Sequence, residues 1–127
     1  MSYAELFCQS HFSFLQGASS PQELVQQAAE LGYSALALTD ECSVAGVVRA
    51  YRHIDEQQLA IKLIIGSYFR LDKLQLVLLC PDKQAYSELC RVITNACRRS
   101  SKGNYQLTEW DLMSIRHCLL LWLPDGD

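Results

Sequence analysis

The stretch that decides the fold is Leu31-Gly32-Tyr33-Ser34-Ala35-Leu36-Ala37-Leu38-Thr39-Asp40-Glu41-Cys42-Ser43-Val44-Ala45-Gly46-Val47-Val48-Arg49-Ala50-Tyr51. A helix stops at Gly32, the apolar run Ala35 to Leu38 reads as a buried strand, and Thr39, Asp40 and Glu41 arrive at its carboxyl end before a new helical pattern starts. In α/β folds the carboxyl ends of parallel strands are where ligands and metals bind, because the loops there converge on a concave surface. The stretch therefore predicts a strand that presents acidic residues at a site.

Working outward, the N-terminal side predicts a short strand over Tyr3 to Cys8 and a polar-aromatic loop from Gln9 to Ala18. Ser20, Pro21 and Glu23 form the signature of a capped helix start, and Leu24, Val25, Ala28, Ala29 and Leu31 give that helix its apolar face. On the C-terminal side a second amphipathic helix is expected from about Val44 to Gln57, with Val44, Val47, Val48, Tyr51 and Ile54 inward. Ile61 to Ile65 follows as a third buried strand. This β-α-β-α-β order predicts parallel strands with right-handed crossovers.

Beyond Gly66, which breaks the run, Ser67 to Leu71 and Leu74 to Cys80 read as a hairpin joined at Asp72-Lys73. Asp82 is placed to cap a third helix with Tyr86, Leu89, Cys90, Ile93 and Cys97 on its buried face, ending in the basic turn Arg98 to Asn104. Thr108 and Asp111 form a second capping box around a short helix, and Cys118 to Leu123 reads as a last strand. Trp110 and Trp122 are read as core residues. A βα series that ends on a strand, with no helix to cover it, is expected to be unfinished.

Composition narrows the class. The 127 residues are 50% hydrophobic and 20% charged, which suits one globular domain and excludes a disordered chain. A net charge of −3 makes the whole chain a poor electrostatic match for nucleic acid, so any contact with DNA must be local. No stretch reaches the length of a membrane span, and a secretory leader is not apparent, so a cytoplasmic protein is expected. None of the six cysteines forms a Cys-x-x-Cys pair; they are read as reduced and mostly buried, not as a disulfide or zinc framework.

Three segments carry a family resemblance: Tyr3 to Leu15 with Gly17-Ala18-Ser19, then Leu31 to Cys42, then Leu63-Ile64-Ile65-Gly66-Ser67-Tyr68-Phe69-Arg70-Leu71. Together with Gly103-x-Tyr105-x-Leu107 they resemble the start of the PHP domain of bacterial C-family (DNA polymerase III alpha-like) polymerases. The Thr-Asp-Glu-Cys at Thr39 to Cys42 points to the error-prone branch. The resemblance implies a distorted (β/α)7 barrel, of which residues 1–127 would be a single, partial domain with parallel strands alternating with helices. It also implies that the chain is a fragment of such a polymerase or a free-standing remnant.

In catalytic members of that family, histidines and carboxylates at the strand ends hold two or three metals, zinc or manganese, that hydrolyse phosphate esters. Here the His-x-His motif is replaced by Phe7 and Gln9, with Ser10 retained. Thr-Asp-His becomes Thr39-Asp40-Glu41, and a glutamate two residues after a glycine becomes Tyr68. Phenylalanine cannot ligate a metal and a glutamine carbonyl is a weak ligand for these ions. Two metals about 3.5–4 Å apart need several anionic or imidazole ligands, which Asp40 and Glu41 alone do not supply. Asp40 is therefore expected to bond backbone amides or cap the helix after Ser43, the other reading being one weak metal held by Asp40, Glu41 and His11.

The resemblance implies a non-catalytic module of a translesion polymerase, with no cofactor of its own. The polymerase core, with its magnesium, would lie in other domains, and the partners would be the rest of the polymerase, its accessory proteins and, through them, DNA. The alternative function is a metal-dependent phosphoesterase or proofreading exonuclease with altered ligands. Arg91, Arg98, Arg99 and Lys102 could meet a phosphate backbone or form a solvated basic face. Ser10, His11 and Ser13 lack a third group to orient a base, and His53 and His117 have no partner at ligand spacing. The unfinished barrel edge is expected to self-associate.

Overall fold

The computed structural model describes residues 4–8, 19–101 and 104–123, with residues 5–8 described by their backbone. The chain forms β1 (Ala4–Cys8), α1 (Pro21–Glu30), β2 (Ala35–Glu41), α2 (Val47–Gln57), β3 (Lys62–Leu71), β4 (Leu74–Cys80), α3 (Lys83–Arg98), α4 (Glu109–Met113) and β5 (Leu119–Leu123). One sheet runs β1-β2-β3-β4-β5 in order. The first two pairings are parallel and the last two antiparallel. This is a mixed α/β fold. The expectation that parallel strands alternate with helices throughout holds only as far as β3, because Leu71 and Leu74 close a two-residue hairpin that reverses the chain.

Local chemistry explains where most elements start and stop. The Ser20 hydroxyl accepts from the Glu23 amide while the Glu23 carboxylate accepts from the Ser20 amide, completing the capping box of α1. Gly32, at φ +83°, takes the left-handed turn that ends the helix. Asp82 caps α3 through the Ala85 amide, and Thr108 and Asp111 cap α4.

Strand alternation divides the core. Leu36 and Leu38 of β2 pack with Val25, Ala28 and Ala50 beneath α1 and α2. Phe69, Leu76 and Leu78 pack beneath α3 with Ala85, Leu89, Val92 and Ala96. On the opposite face Ala37, Tyr68, Val77 and Leu79 form a smaller cluster.

Three expectations about faces are corrected. Helix α2 begins at Val47, and its buried positions are Val47 and Ala50 with Ile54 half-buried, while Val48 and Tyr51 are exposed. Gly46 explains the late start: an added Cβ would lie 2.9 Å from Pro21 Cγ and 3.2 Å from both Asp40 Oδ2 and Leu38 Cδ2, so the turn is pressed against the sheet and the helix is rotated accordingly. Helix α3 buries Ala85, Glu88, Leu89, Val92 and Ala96. Tyr86, Cys90 and Ile93 are half-buried and Cys97 is exposed, because the two alanines let the backbone come closest on their side. Trp110 and Trp122 are 76% and 53% exposed, on the short α4 and on the edge strand β5, so neither is a core residue.

Gly66 does not break β3. The strand continues through it, and a Cβ there would stand 2.7 Å from the Leu78 carbonyl oxygen, so glycine permits the close β3–β4 approach. At the other side of the sheet the buried Glu88 does a structural task that its charge would not suggest. Its carboxylate accepts from the backbone amides of Arg116, His117 and Cys118 at 2.8, 3.0 and 3.0 Å and so fixes the entry to β5.

Burial opposes ionisation of Glu88, but these amide donors, that of Cys118 foremost, outweigh it and hold the carboxyl down at about 2. A depressed folded-state pKa means that the unfolded chain binds the extra proton, so this stabilisation is full above the ordinary glutamate range and is lost as pH falls towards 2. Glu88→Gln should lower unfolding free energy at pH 7 by about 1–2 kcal/mol, since charge-assisted bonds are replaced by neutral ones. Denaturant titrations from pH 6 to pH 2.5 should show a shallower loss of stability in the variant than in the parent chain.

Candidate functional site

The carboxyl end of β2 lies beside that of β3, with Thr39, Asp40 and Glu41 opposite Gly66, Ser67 and Tyr68. Ser67 locks the joint: its hydroxyl donates to the Asp40 carbonyl at 2.7 Å and accepts from the Ser43 amide at 3.1 Å. The Cys42 amide donates to the Tyr68 carbonyl at 2.8 Å, with Cys42 itself in the left-handed region at φ +46°. The loop that leaves β2 is thereby fastened to β3 on both sides of the turn.

Asp40 and Glu41 part company at this point. Asp40 is 1% exposed, and its Oδ2 sits against Gly46 at the amino end of α2, where a helix dipole favours a carboxylate. Glu41 turns to a different set of partners. Its Oε2 accepts from the Tyr105 hydroxyl at 2.6 Å and stands 3.7 Å from Arg70 Nε.

The Tyr105 oxygen in turn accepts from the Arg70 amide at 2.8 Å, and its ring meets Phe69 edge to face with centroids 6.1 Å apart. Arg70 Nε also donates to the Tyr68 hydroxyl at 3.1 Å, with the guanidinium 5.8 Å from the Tyr68 ring centroid. Burial, and then the hydrogen bond to Glu41, push the Tyr105 hydroxyl well above the usual tyrosine range, so it stays protonated and donates. The hydrogen bond to Tyr68 holds Arg70 in its charged form.

Of the residues singled out from sequence, the structure brings Asp40, Glu41 and Tyr68 to one end of the sheet. Phe7 lies on β1, described by backbone only, and Gln9 and His11 lie outside the described residues. Among the described residues the donor set does not fit a metal cluster: Asp40 Oδ2 lies close to Gly46 at the α2 terminus, Glu41 and Tyr68 are engaged by Tyr105 and Arg70, and Phe7 has no donor atom. Among the described residues no three His, Cys, Asp or Glu side chains are grouped to hold a metal ion. Tyr105 and Arg70, which complete the network, lie within the family-like segments, and no spacing rule in the sequence connects either to Glu41.

Arg91 and Arg98 are exposed on α3 and Lys102 lies outside the described residues. Arg99, in contrast, makes a bidentate pair with the buried Asp111, at 2.5 and 3.0 Å, and donates to the Gln106 carbonyl at 3.3 Å. Although burial opposes it, this pairing lowers the Asp111 pKa. His53 Nε2 meets Gln26 Oε1 at 2.8 Å and bridges α2 to α1, while the His117 amide is held by Glu88. Among the described residues no helix is long and apolar enough to cross a membrane.

With this geometry in place, comparison with known proteins is informative. The chain is 63% identical over 127 residues to an error-prone DNA polymerase of Vibrio vulnificus strain YJ016, covering 99% of this chain and 12% of the relative. It is 67% identical over 125 residues to the error-prone DNA polymerase of Vibrio campbellii, covering 98% of this chain and 12% of the relative. The chain thus spans about 12% of the length of these relatives. Among solved structures, an amidohydrolase from Chromobacterium violaceum is similar with a TM-score of 0.61 and 23% identity, over 76% of this chain and 34% of that one. A protein from Bifidobacterium adolescentis assigned as a metal-dependent phosphoesterase gives a TM-score of 0.56 and 21% identity, over 77% and 35%. At such identities these two inform the fold alone. The PHP domain model matches residues 5–120, a span that runs from within β1 to the start of β5 and contains the β2 end with its Thr39-Asp40-Glu41, and on that match this chain belongs to the PHP domain family.

Proposed function

We propose that this chain is the PHP portion of an error-prone, translesion DNA polymerase, where it supports the polymerase structurally and carries out no phosphate-ester hydrolysis of its own. The observation that carries this reading is the commitment of Glu41 to Tyr105 and Arg70 at a position where catalytic relatives keep a ligand. Nucleotidyl transfer, its magnesium and the principal DNA contacts belong on this reading to other parts of the polymerase, in the cytoplasm, with accessory proteins as further partners. A phosphoesterase or exonuclease would need Asp40 and Glu41 turned to a common point. Weak occupancy by a single ion at Asp40, Glu41 and His11 would need the same.

The finer architecture is a proposal of the same kind: residues 1–127 as one partial domain contributing the first strands of a distorted (β/α)7 barrel. In its support, β5 is Leu119-Leu120-Leu121-Trp122-Leu123, apolar on both faces as strands inside a covered sheet are, yet among the described residues it pairs on one side with β4 alone. Leu119 and Leu121 also line an open groove of about 740 Å³ with Ile64, Leu79 and Tyr86. Further barrel strands would cover this edge in a longer protein, and a second copy would cover it in the 127-residue chain.

Four measurements check these points. Calorimetric titration with manganese should give no saturable binding tighter than about 1 mM, and manganese should release no phosphate from a generic phosphomonoester above blank. One bound equivalent that disappears in Asp40→Ala would refute the structural reading. Tyr105→Phe, which strands the Glu41 carboxylate and the Arg70 amide, should cost about 1–3 kcal/mol in chemical denaturation. Light scattering of the 127-residue chain should show dimers whose population rises with concentration and falls in Trp122→Lys, whereas a monodisperse monomer at high concentration contradicts pairing through β5.

A further inference from the structure

The cysteines among the described residues are free thiols, and two pairs of them lie close together. Cys118 is buried beside Cys80 and donates to the Ala85 carbonyl at 3.2 Å, which leaves it shielded from solutes. The other pair is placed differently. Cys42 Sγ lies 3.8 Å from Cys97 Sγ, with Cys42 buried in the core beneath α3 and Cys97 exposed in the last turn of that helix. One thiol therefore faces solvent and its neighbour waits behind it.

The two residues also join the functional end of the sheet to a distant part of the chain. Cys42 follows Glu41 directly, and its amide is bonded to Tyr68. Cys97 is 55 positions away in sequence, and the adjacent Ala96 carbonyl accepts from Gln106, which lies next to Tyr105. A bond between the sulfurs would tie the loop after Asp40 and Glu41 to the helix end that carries the Tyr105 segment. A disulfide needs a sulfur separation of about 2.05 Å, so the pair must close by less than 2 Å, within reach of side-chain rotation and a small shift of the last helical turn.

We propose that Cys97 and Cys42 form a peroxide-responsive thiol pair, in which oxidation produces a disulfide that clamps the Glu41 loop to the end of α3. The chemistry requires a hydroperoxide as oxidant. The Cys97 thiolate attacks the peroxide oxygen, the O–O bond breaks, and the sulfur is oxidised to sulfenic acid while the peroxide is reduced to water or an alcohol. Cys42 then attacks the Cys97 sulfur, the S–S bond forms, and the displaced hydroxide leaves as water with the Cys42 proton. Exposure sets the order: Cys97 faces solvent and meets the peroxide first, while Cys42, buried behind it with the two sulfurs 3.8 Å apart, is placed to resolve the sulfenic acid. The proposal is independent of the polymerase reading, since it rests on the two sulfurs and their exposure.

The test treats the reduced 127-residue chain with one equivalent of hydrogen peroxide, alkylates the remaining thiols under denaturing conditions and maps the peptides without reduction. Four alkylated cysteines in place of six, a peptide cross-linked through Cys42 and Cys97, and reversal by dithiothreitol are expected. The oxidised chain should unfold about 5 °C or more above the reduced one, because the bond closes a long loop. In Cys42→Ser, Cys97 should be trapped as its sulfenic acid by dimedone, which verifies that the exposed thiol reacts first in a chain that still folds. A cross-link confined to Cys80 and Cys118, a wild-type Cys97 driven to sulfinic acid without a cross-link, or six unreacted thiols would each overturn the proposal.

Discussion

A carboxylate that is withdrawn from water must find donors, and at Glu41 that requirement organises the whole end of the sheet. The side chain is only 10% exposed, and the donors that receive it come from β3 and from the segment between α3 and α4. Tyr105 can reach it only because α3 returns the chain across the sheet, with Gln106 anchored on Ala96 and the Tyr105 ring laid against Phe69. The position of α3 depends in turn on small residues facing β4 and on the Glu88 carboxylate that gathers the β5 entry beneath it. One polar satisfaction thus links elements separated by more than half of the chain.

On the proposed non-catalytic reading, the same requirement, more than the substitutions taken one at a time, sets what the strand-end carboxylates do. Replacing a histidine by glutamate at position 41 would by itself leave a competent oxygen ligand. Glu41 is instead met by the Tyr105 hydroxyl and by Arg70 in a partly dry setting, where a charge-assisted hydrogen bond is strong. Asp40 is placed separately, with its Oδ2 close to Gly46 at the amino end of α2.

Much of this frame was legible from residues. Capping boxes at Ser20 and Thr108, the left-handed stop at Gly32 and the hairpin at Asp72-Lys73 are local chemistry, and each appears where its sequence signal lies. The faces of α2 and α3 were less legible. Helical spacing marks large apolar residues, but the buried side was chosen by Gly46, Ala50, Ala85 and Ala96, whose merit is that they allow close approach. Tryptophans at 110 and 122 looked like core on hydrophobicity alone, and their exposure belongs to an edge strand and a one-turn helix. The site followed the same pattern. Asp40 and Glu41 were visible in the Thr-Asp-Glu-Cys run, whereas Tyr105 stands 64 positions from Glu41 and no spacing rule connects them. The pairing of Arg99 with Asp111 was hidden for the same reason and removes one arginine from the expected basic set.

The most direct measurement of the central claim is a crystal structure grown in millimolar manganese, with anomalous diffraction recorded at the metal edge. The account predicts the Glu41 carboxylate on the Tyr105 hydroxyl, Asp40 against Gly46, and no anomalous density at the end of β2. An anomalous peak within about 2.5 Å of oxygens from both Asp40 and Glu41, with Tyr105 displaced, would contradict it.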